Sequence, residues 1–309
     1  MILQRTIKTP AEITGVGLHS GATIRLRMRP ASADTGIIFH RREGDRVVAI
    51  KALAENVVDT RLATVLGRDD LSVSTVEHFL AALSACGVDN LHVDIDGPEV
   101  PILDGSASPF VKMIEHAGIE GLPASRRFIA IRKPISIIEG EKRISIIPSR
   151  FFRITFDIAF EHKAIALQQY SMKFSTENFR KEIAPARTFG FLHEVEYLKA
   201  NGLARGGSLK NAVVIDDNGV MNPEGLRYQD EFVRHKILDS FGDFSLLGAP
   251  MLGHIRAFKA GHDLNAKMVR KILDSPDHWA YVEFSDAAMQ EAQRRSARAF
   301  AIDLAWDKA

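Results

Sequence analysis

Between Glu231 and Asp243 apolar residues recur at helical spacing. At 100° per residue Val233, Ile237, Phe241 and Phe244 fall on one stripe, the face a helix turns toward a core. The opposite face carries His235, Asp239 and Asp243, one turn apart, and Phe232 and Leu238 flank it, so this polar stripe is expected to be covered too. A second segment repeats the arrangement. Ser74-Thr75-Val76-Glu77 has the spacing of a capping box, and a helix from there to about Cys86, ended by Gly87, puts Val76, Phe79, Leu80 and Leu83 on a core stripe. His78, Ala81, Ala82 and Ala85 lie on its far side. A histidine among alanines predicts a closely packed neighbour, because small side chains permit short helix separations.

Elsewhere the pattern is that of strands and turns. Ile13 to Leu18, Ala22 to Met28, Ile37 to His40 and Leu91 to Asp96 read as strands broken by Gly, Pro, Ser and Asp. Within Thr14 to Gly21 the glycines suit either a hairpin or a close backbone approach to a ligand, with His19 beside them. Ser108 and Pro109 suit the N-cap and first turn of a helix to about Ala117. Gly118 to Arg127, rich in Gly, Pro, Ser and charge, reads as a domain boundary, and strands resume at Phe128. Ala186 to Phe191 precedes a short helix to about Asn201 and a Gly-rich run to Ser208. The apolar residues there, Phe191, Leu192, Val195, Leu198 and Leu203, either pack on the domain or line an apolar passage. Met251 to Phe258 reads as a strand, His262 sits at a strand-to-helix corner, and Asp263 could cap a helix to about Leu273. A strand from Trp279 to Phe284 and a charged helix from about Ala287 complete the reading.

Each half runs strands first, then helices, which gives an α+β chain of two domains of similar topology, residues 1–125 and 126–309. Each has a helix with core on one face and histidine on the other. Joining those second faces packs helices between two mainly antiparallel sheets and brings His78, His235 and Asp239 together at the interdomain interface, where the active site is expected.

Composition narrows the chemistry. The 309 residues are 46% hydrophobic and 26% charged, an ordinary balance for a soluble globular protein. A formal charge of +1 gives no global field to hold nucleic acid or an acidic membrane. Cys86 is the only cysteine, which excludes an intramolecular disulfide, a Cys-rich zinc module and an iron–sulfur cluster. Any metal is therefore held by His and carboxylates. The N-terminus lacks the apolar core of a signal peptide and no run of about 18 apolar residues occurs, so a cytoplasmic protein without a transmembrane segment is expected.

Two His and one carboxylate, with a fourth position open to water, is the ligand set of a hydrolytic zinc site; such a set also accepts Fe²⁺. Glu77, next to His78, is a candidate general base, although its alternative role as capping-box partner would exclude that one. His262 could protonate a leaving group, with Asp243 orienting it and raising its pKa, and Thr188 could donate to a developing oxyanion. A serine hydrolase is disfavoured by the lack of a Gly-x-Ser-x-Gly elbow. A binding protein with a structural, fully coordinated metal remains an alternative of a different class.

The segments Thr14-Gly-Val-Gly-Leu-His19, Ser74-Thr-Val-Glu-His78, Asp104-Gly-Ser-Ala-Ser-Pro-Phe110, Arg187-Thr-Phe-Gly-Phe191, Asp230 to Asp239 and Ala260-Gly-His262 resemble, in order and over most of the chain, those of the zinc-dependent UDP-3-O-acyl-N-acetylglucosamine deacetylases of lipid A biosynthesis. The resemblance implies hydrolysis of the N-acetyl group of an acylated UDP-amino-sugar, with one Zn²⁺ per chain held by His78, His235 and Asp239. It implies Glu77 as base, His262 as acid with Asp243 behind it, and Thr188 at the oxyanion. Lys236 is then expected to contact the polar head of the substrate, and Leu18, His19, Phe189 and Phe191 belong to the substrate-binding residues. An acyl passage over about 190–208 includes Leu192, Val195, Ala204 and Gly207. No obligate protein partner is implied.

Overall fold

The computed structural model describes residues 1–284. Among them are six α-helices: α1 (Glu77–Cys86), α2 (Ser108–Ala117), α3 (Thr176–Asn178), α4 (Leu192–Ala200), α5 (Glu231–Ser245) and α6 (His262–Leu273). Two five-stranded sheets carry the architecture. The first is built from Ala11–Val16, Thr23–Pro30, Ile37–Glu43, Arg46–Lys51 and Leu91–Ile95; the second from Ile135–Glu139, Lys142–Ile147, Arg153–Ala159, Leu167–Lys173 and His254–Phe258. In both, the spatial order is first, second, fifth, third, fourth. Both are antiparallel except where the fifth strand runs parallel to the third. The expected similarity of topology between the halves is thus present strand for strand.

Period-2 alternation makes each sheet one-sided. Ile24, Leu26 and Met28 are buried on one strand of the first sheet, and Ile154, Phe156 and Ile158 on the third strand of the second. The helices cover those faces. Phe79 of α1 meets Phe39 of the first sheet edge-on at 6.1 Å, and Phe110 of α2 packs on Phe79 at 5.3 Å. In the second half Phe241 of α5 packs on Phe152 at 4.9 Å. The predicted core stripes of α1 and α5 are all buried, and so are their polar faces, because α1 lies along α5 in the most extensive helix–helix contact of the described chain. The layers are therefore sheet, helices, helices, sheet.

At one point that contact is backbone on backbone. Gly242 of α5 faces Glu77 so closely that an added Cβ would overlap the Glu77 carbonyl oxygen. We expect Gly242→Ala to lose about 1–3 kcal/mol of stability through overpacking, seen as a lower urea midpoint, together with weaker cation binding. An unchanged midpoint would show that α1 and α5 can part without cost.

Several local expectations are corrected. The capping box is not formed: Val76 occupies the N-cap position, no side chain caps α1, and the Glu77 carboxylate is engaged elsewhere. Ser108 is the first residue of α2 rather than its cap. Asp263 lies in the first turn of α6, with Gly261 at the N-cap and no side-chain cap. Gly118 to Arg127 contains a strand, Ile119–Ser125, because Leu3–Ile7 supplies an antiparallel partner far away in sequence. Met251 to Phe258 is two strands, Met251–Leu252 and His254–Phe258, parted at Gly253, and they join different sheets. The strand near the end is Trp279–Val282; the helix expected from about Ala287 lies outside the described residues.

Candidate metal centre and active site

The close approach of α1 to α5 brings three candidate ligands together. His78 comes from the first turn of α1, and His235 and Asp239 are one turn apart on α5, all at most 3% exposed. One ligand atom from each lies within 4.8 Å of the other two. Asp239 Oδ1 is 3.2 Å from His235 Nε2 and 3.5 Å from His78 Nε2. Ligand atoms about 2.05 Å from a tetrahedral ion stand about 3.3 Å apart, so the spacing fits a cation between them. Asp239 Oδ1 is moreover a buried oxygen with no hydrogen-bond partner. A buried acceptor left unpaired is costly unless something else satisfies it.

Neighbouring groups fix the ligand forms. Ala186 O lies 3.0 Å from His235 Nδ1; a carbonyl only accepts, so Nδ1 carries the proton and Nε2 keeps its lone pair. Burial lowers His235 to about 3, so the imidazole is neutral. Asp239 is held well below the ordinary carboxylate range: burial opposes its charge, but His235, Lys236, His78 and His262 outweigh it. Lys236 Nζ donates to Asp239 Oδ2 at 3.0 Å, which occupies that oxygen and leaves Oδ1 for the cation.

A second layer surrounds the cluster. Glu77, 3% exposed, accepts at Oε2 from the Thr64 amide at 3.0 Å, and burial pushes its carboxyl up against the pull of His262 and His78. His262, the first residue of α6, places Nδ1 3.0 Å from Asp243 Oδ2 and Nε2 4.0 Å from Asp239 Oδ2. Its pKa rises to about 9: burial opposes the charge, but the Asp243 carboxylate, with Glu77 and Asp239 beyond, more than offsets it. Asp243 in turn accepts from Thr64 Oγ1 at 2.6 Å and from Asn265 Nδ2 at 2.8 Å. Glu77 and His262 open, with the cluster, on a cavity of about 320 Å³ whose lining also includes Leu18, His19, Thr188, Phe189 and Lys236; Asp243 lies behind His262, outside that lining.

Thr188 is held by its backbone, donating to Gly105 O and accepting from the Val213 amide, each at 2.8 Å. The preceding Arg187 is buried in a fork on Glu231 at the start of α5, with Nε 2.9 Å and Nη2 3.1 Å from its two oxygens. That pair fixes both Ala186 O and Thr188 relative to the helix bearing His235.

The structure brings eleven of the named positions to one place: the clustered His78, His235 and Asp239, with Glu77, His262, Asp243, Thr188, Lys236, Leu18, His19 and Phe189. It does not bring Phe191, Leu192, Val195, Ala204 or Gly207 into the cavity lining. Phe191 instead packs on Phe160 at 5.9 Å, and α4 carries no fully buried residue, so Leu192 and Val195 remain half-buried. Sequence reasoning missed Thr64, Asn265 and the Ala186 carbonyl. Asn265 could have been found, one turn after His262 on α6; Thr64, in a loop with no distinguishing pattern, could not.

Two imidazoles, an ionised carboxylate, a buried carboxyl and a carboxylate-backed histidine on an α+β scaffold define a metal-dependent hydrolase. The family model for UDP-3-O-acyl N-acetylglycosamine deacetylase (LpxC) matches residues 4–274. A UDP-3-O-acyl-N-acetylglucosamine deacetylase of Syntrophotalea carbinolica is 64% identical over 288 residues, 93% of each chain. Proteins of the same name from a Geobacter species and from Myxococcus xanthus are 56% and 53% identical, covering 93% and 90% of this chain and 94% and 89% of theirs. The chain belongs to this deacetylase family. Among the described residues no helix is long and apolar enough to cross a membrane.

Proposed function

We propose that the chain hydrolyses the N-acetyl amide of a UDP-3-O-acyl-N-acetylglucosamine, releasing acetate and the free amine for lipid A biosynthesis, and that the cation at His78, His235 and Asp239 is Zn²⁺. The observation that carries the reading is the unpartnered Asp239 Oδ1 between two imidazole nitrogens, beside a buried glutamate and a carboxylate-backed histidine. A borderline ion suits this nitrogen and oxygen donor set; when bound, it supplies Lewis-acid polarisation and lowers the pKa of water. In this reading the protein is two domains, residues 1–125 and 126–309, with the site between them in the cytoplasm.

The side chains divide the proton work. Glu77, oriented by the Thr64 amide, removes the proton of the attacking water, and its raised pKa makes it a stronger base than an exposed carboxylate. His262 enters protonated and gives the Nε2 proton to the departing nitrogen, while Asp243 holds Nδ1. Thr188 donates to the oxygen on which negative charge develops. Leu18, His19 and Phe189 wall the cavity, Lys236 stands at its polar edge, and the half-buried apolar surface of Phe191, Leu192 and Val195, with Ala204 and Gly207, supplies a path for the acyl chain beyond it. Acetate release by the purified protein from the acylated UDP-sugar, with one free amine formed per acetate, tests the reading; substrate recovered intact after prolonged incubation would end it.

Asp243→Asn separates the acid from its support. Without the Asp243 charge the main support of the His262 proton is gone and only Glu77 and Asp239 still oppose burial, so the pKa falls and the protonated acid is lost at a lower pH. The alkaline limb of the kcat–pH profile should move down, with kcat reduced about 10- to 100-fold near neutrality and KM little changed. A profile superimposable on that of the parent would remove Asp243 from the mechanism.

A further inference from the structure

Glu99 is 1% exposed and belongs to none of the groups described so far. It lies in the loop after Leu91–Ile95, beside the residues that lead into α1. Its carboxylate gathers four donors. Oε1 accepts from the His19 amide at 2.9 Å and from Thr75 Oγ1 at 3.0 Å. Oε2 accepts from the Ser20 amide at 3.0 Å and from Ser20 Oγ at 2.9 Å, and lies 3.1 Å from the His19 amide. On the backbone, Val100 N donates to Ser74 O at 3.0 Å and Ser74 N to Pro98 O at 2.9 Å. One buried carboxylate thus ties the Gly17–Ser20 loop to Thr75, two residues before Glu77, in a left-handed conformation at φ 56°.

Its seat is built for an acceptor. A Cβ on Gly17 would overlap Glu99 Oε2 and Ser20 Oγ, so that glycine clears the space the carboxylate fills. The loop then reaches the other half of the chain. Gly206 N donates to Leu18 O at 3.0 Å and Arg205 N to His19 O at 3.3 Å. A Cβ on Gly206 would overlap Gly17 O, so this contact too is backbone on backbone. Leu18, His19 and Thr75 all line the cavity.

We infer that Glu99 is a positioning residue for substrate fit: through the Gly17–Ser20 loop it sets the Leu18–His19 wall of the cavity and the seat of the Arg205–Gly206 turn, and so governs recognition of the acyl-bearing part of the substrate. The functional half of this inference rests on the deacetylase reading; the structural half does not. The physical reason is that only an ionised carboxylate accepts from all four donors, two of them backbone amides of the wall itself. Glutamine offers one acceptor oxygen and turns an NH₂ toward the Ser20 donors, which leaves buried groups unpaired. The ligand atoms on α1 and α5 are not part of this network and are expected to keep their geometry.

The test uses the full chain carrying Glu99→Gln, with Ser20→Ala as the milder change that removes a single donor. Hydrogen exchange at the His19, Ser20, Arg205 and Gly206 amides should quicken by at least about 10-fold in Glu99→Gln, with α1 and α5 as protected as before and bound metal unchanged. Against UDP-3-O-acyl-N-acetylglucosamine, kcat/KM should fall about 10- to 100-fold, mostly through KM, whereas against UDP-N-acetylglucosamine without the acyl chain it should change only a few-fold. Ser20→Ala should move both readouts in the same direction by less. Unchanged exchange in either folded variant overturns the positioning role. Quickened exchange with equal losses on the two substrates, carried by kcat, overturns the link to acyl recognition. A parent protein that releases no acetate removes the deacetylase reading and that link with it, and the exchange data still decide the positioning role.

Discussion

An Asp239→Ala protein is expected to lose its cation and, with it, deacetylation by about 10³-fold or more, the several kcal/mol a Lewis acid supplies to such a reaction. Three features of the site make this the severest single change. Asp239 is the only carboxylate of the cluster, so its removal leaves no negative charge among the clustered donors to balance a divalent cation. Its Oδ1 stands closest to both nitrogens, at 3.2 and 3.5 Å, and is the atom around which the spacing closes. Finally, Lys236 loses the acceptor of its 3.0 Å hydrogen bond, and its ammonium is left facing the cation site. Elemental analysis of the purified variant, alongside acetate release, measures both losses. The matching experiment on the parent protein is chelation, which should abolish turnover, followed by Zn²⁺, which should restore it. Turnover that survives complete chelation would refute metal-dependent chemistry here.

Glu77→Ala should be the second most damaging change, but for a different reason and with a different signature. Removing a positioned general base costs about 10²- to 10⁴-fold. Here the loss should fall on kcat, with metal content intact, because Glu77 is not one of the three clustered ligands. The Thr64 amide loses its acceptor, yet Thr64 stays anchored through Oγ1 on Asp243, so the loop is expected to hold its place. Near-parental kcat in a metal-replete Glu77→Ala protein would mean that another group takes the proton.

Helix faces were the most legible part of this chain. Val233, Ile237, Phe241 and Phe244 on one side and His235, Asp239 and Asp243 on the other follow from residue angle alone, and the structure buries both sides. The alanines around His78 signalled the close helix contact, and a repeat of strands followed by helices signalled the two matching sheets. What escaped detection depends on partners distant in sequence. The strand Ile119–Ser125 exists because Leu3–Ile7 lies beside it. Ser74 to Glu77 has the letters of a capping box, but the Thr64 amide claims the Glu77 carboxylate first. Thr64 itself, the residue that touches Glu77, Asp243 and His262 at once, looks like any loop threonine until the chain has folded.

The backbone contact at Gly242 and Glu77 also has a mechanical meaning. Where two helices touch without side chains between them, the contact can neither compress nor re-pack by a change of rotamer, so it acts as a fulcrum. Any rocking of α1 against α5 turns about that point, and displacement grows with distance from it. His78 is the next residue along α1, and Asp239 lies three residues from Gly242, about 4.5 Å along the helix axis. His78 and Asp239 therefore sit on the short arm of the lever, so rocking of the two helices changes their spacing less than it displaces groups farther along either helix.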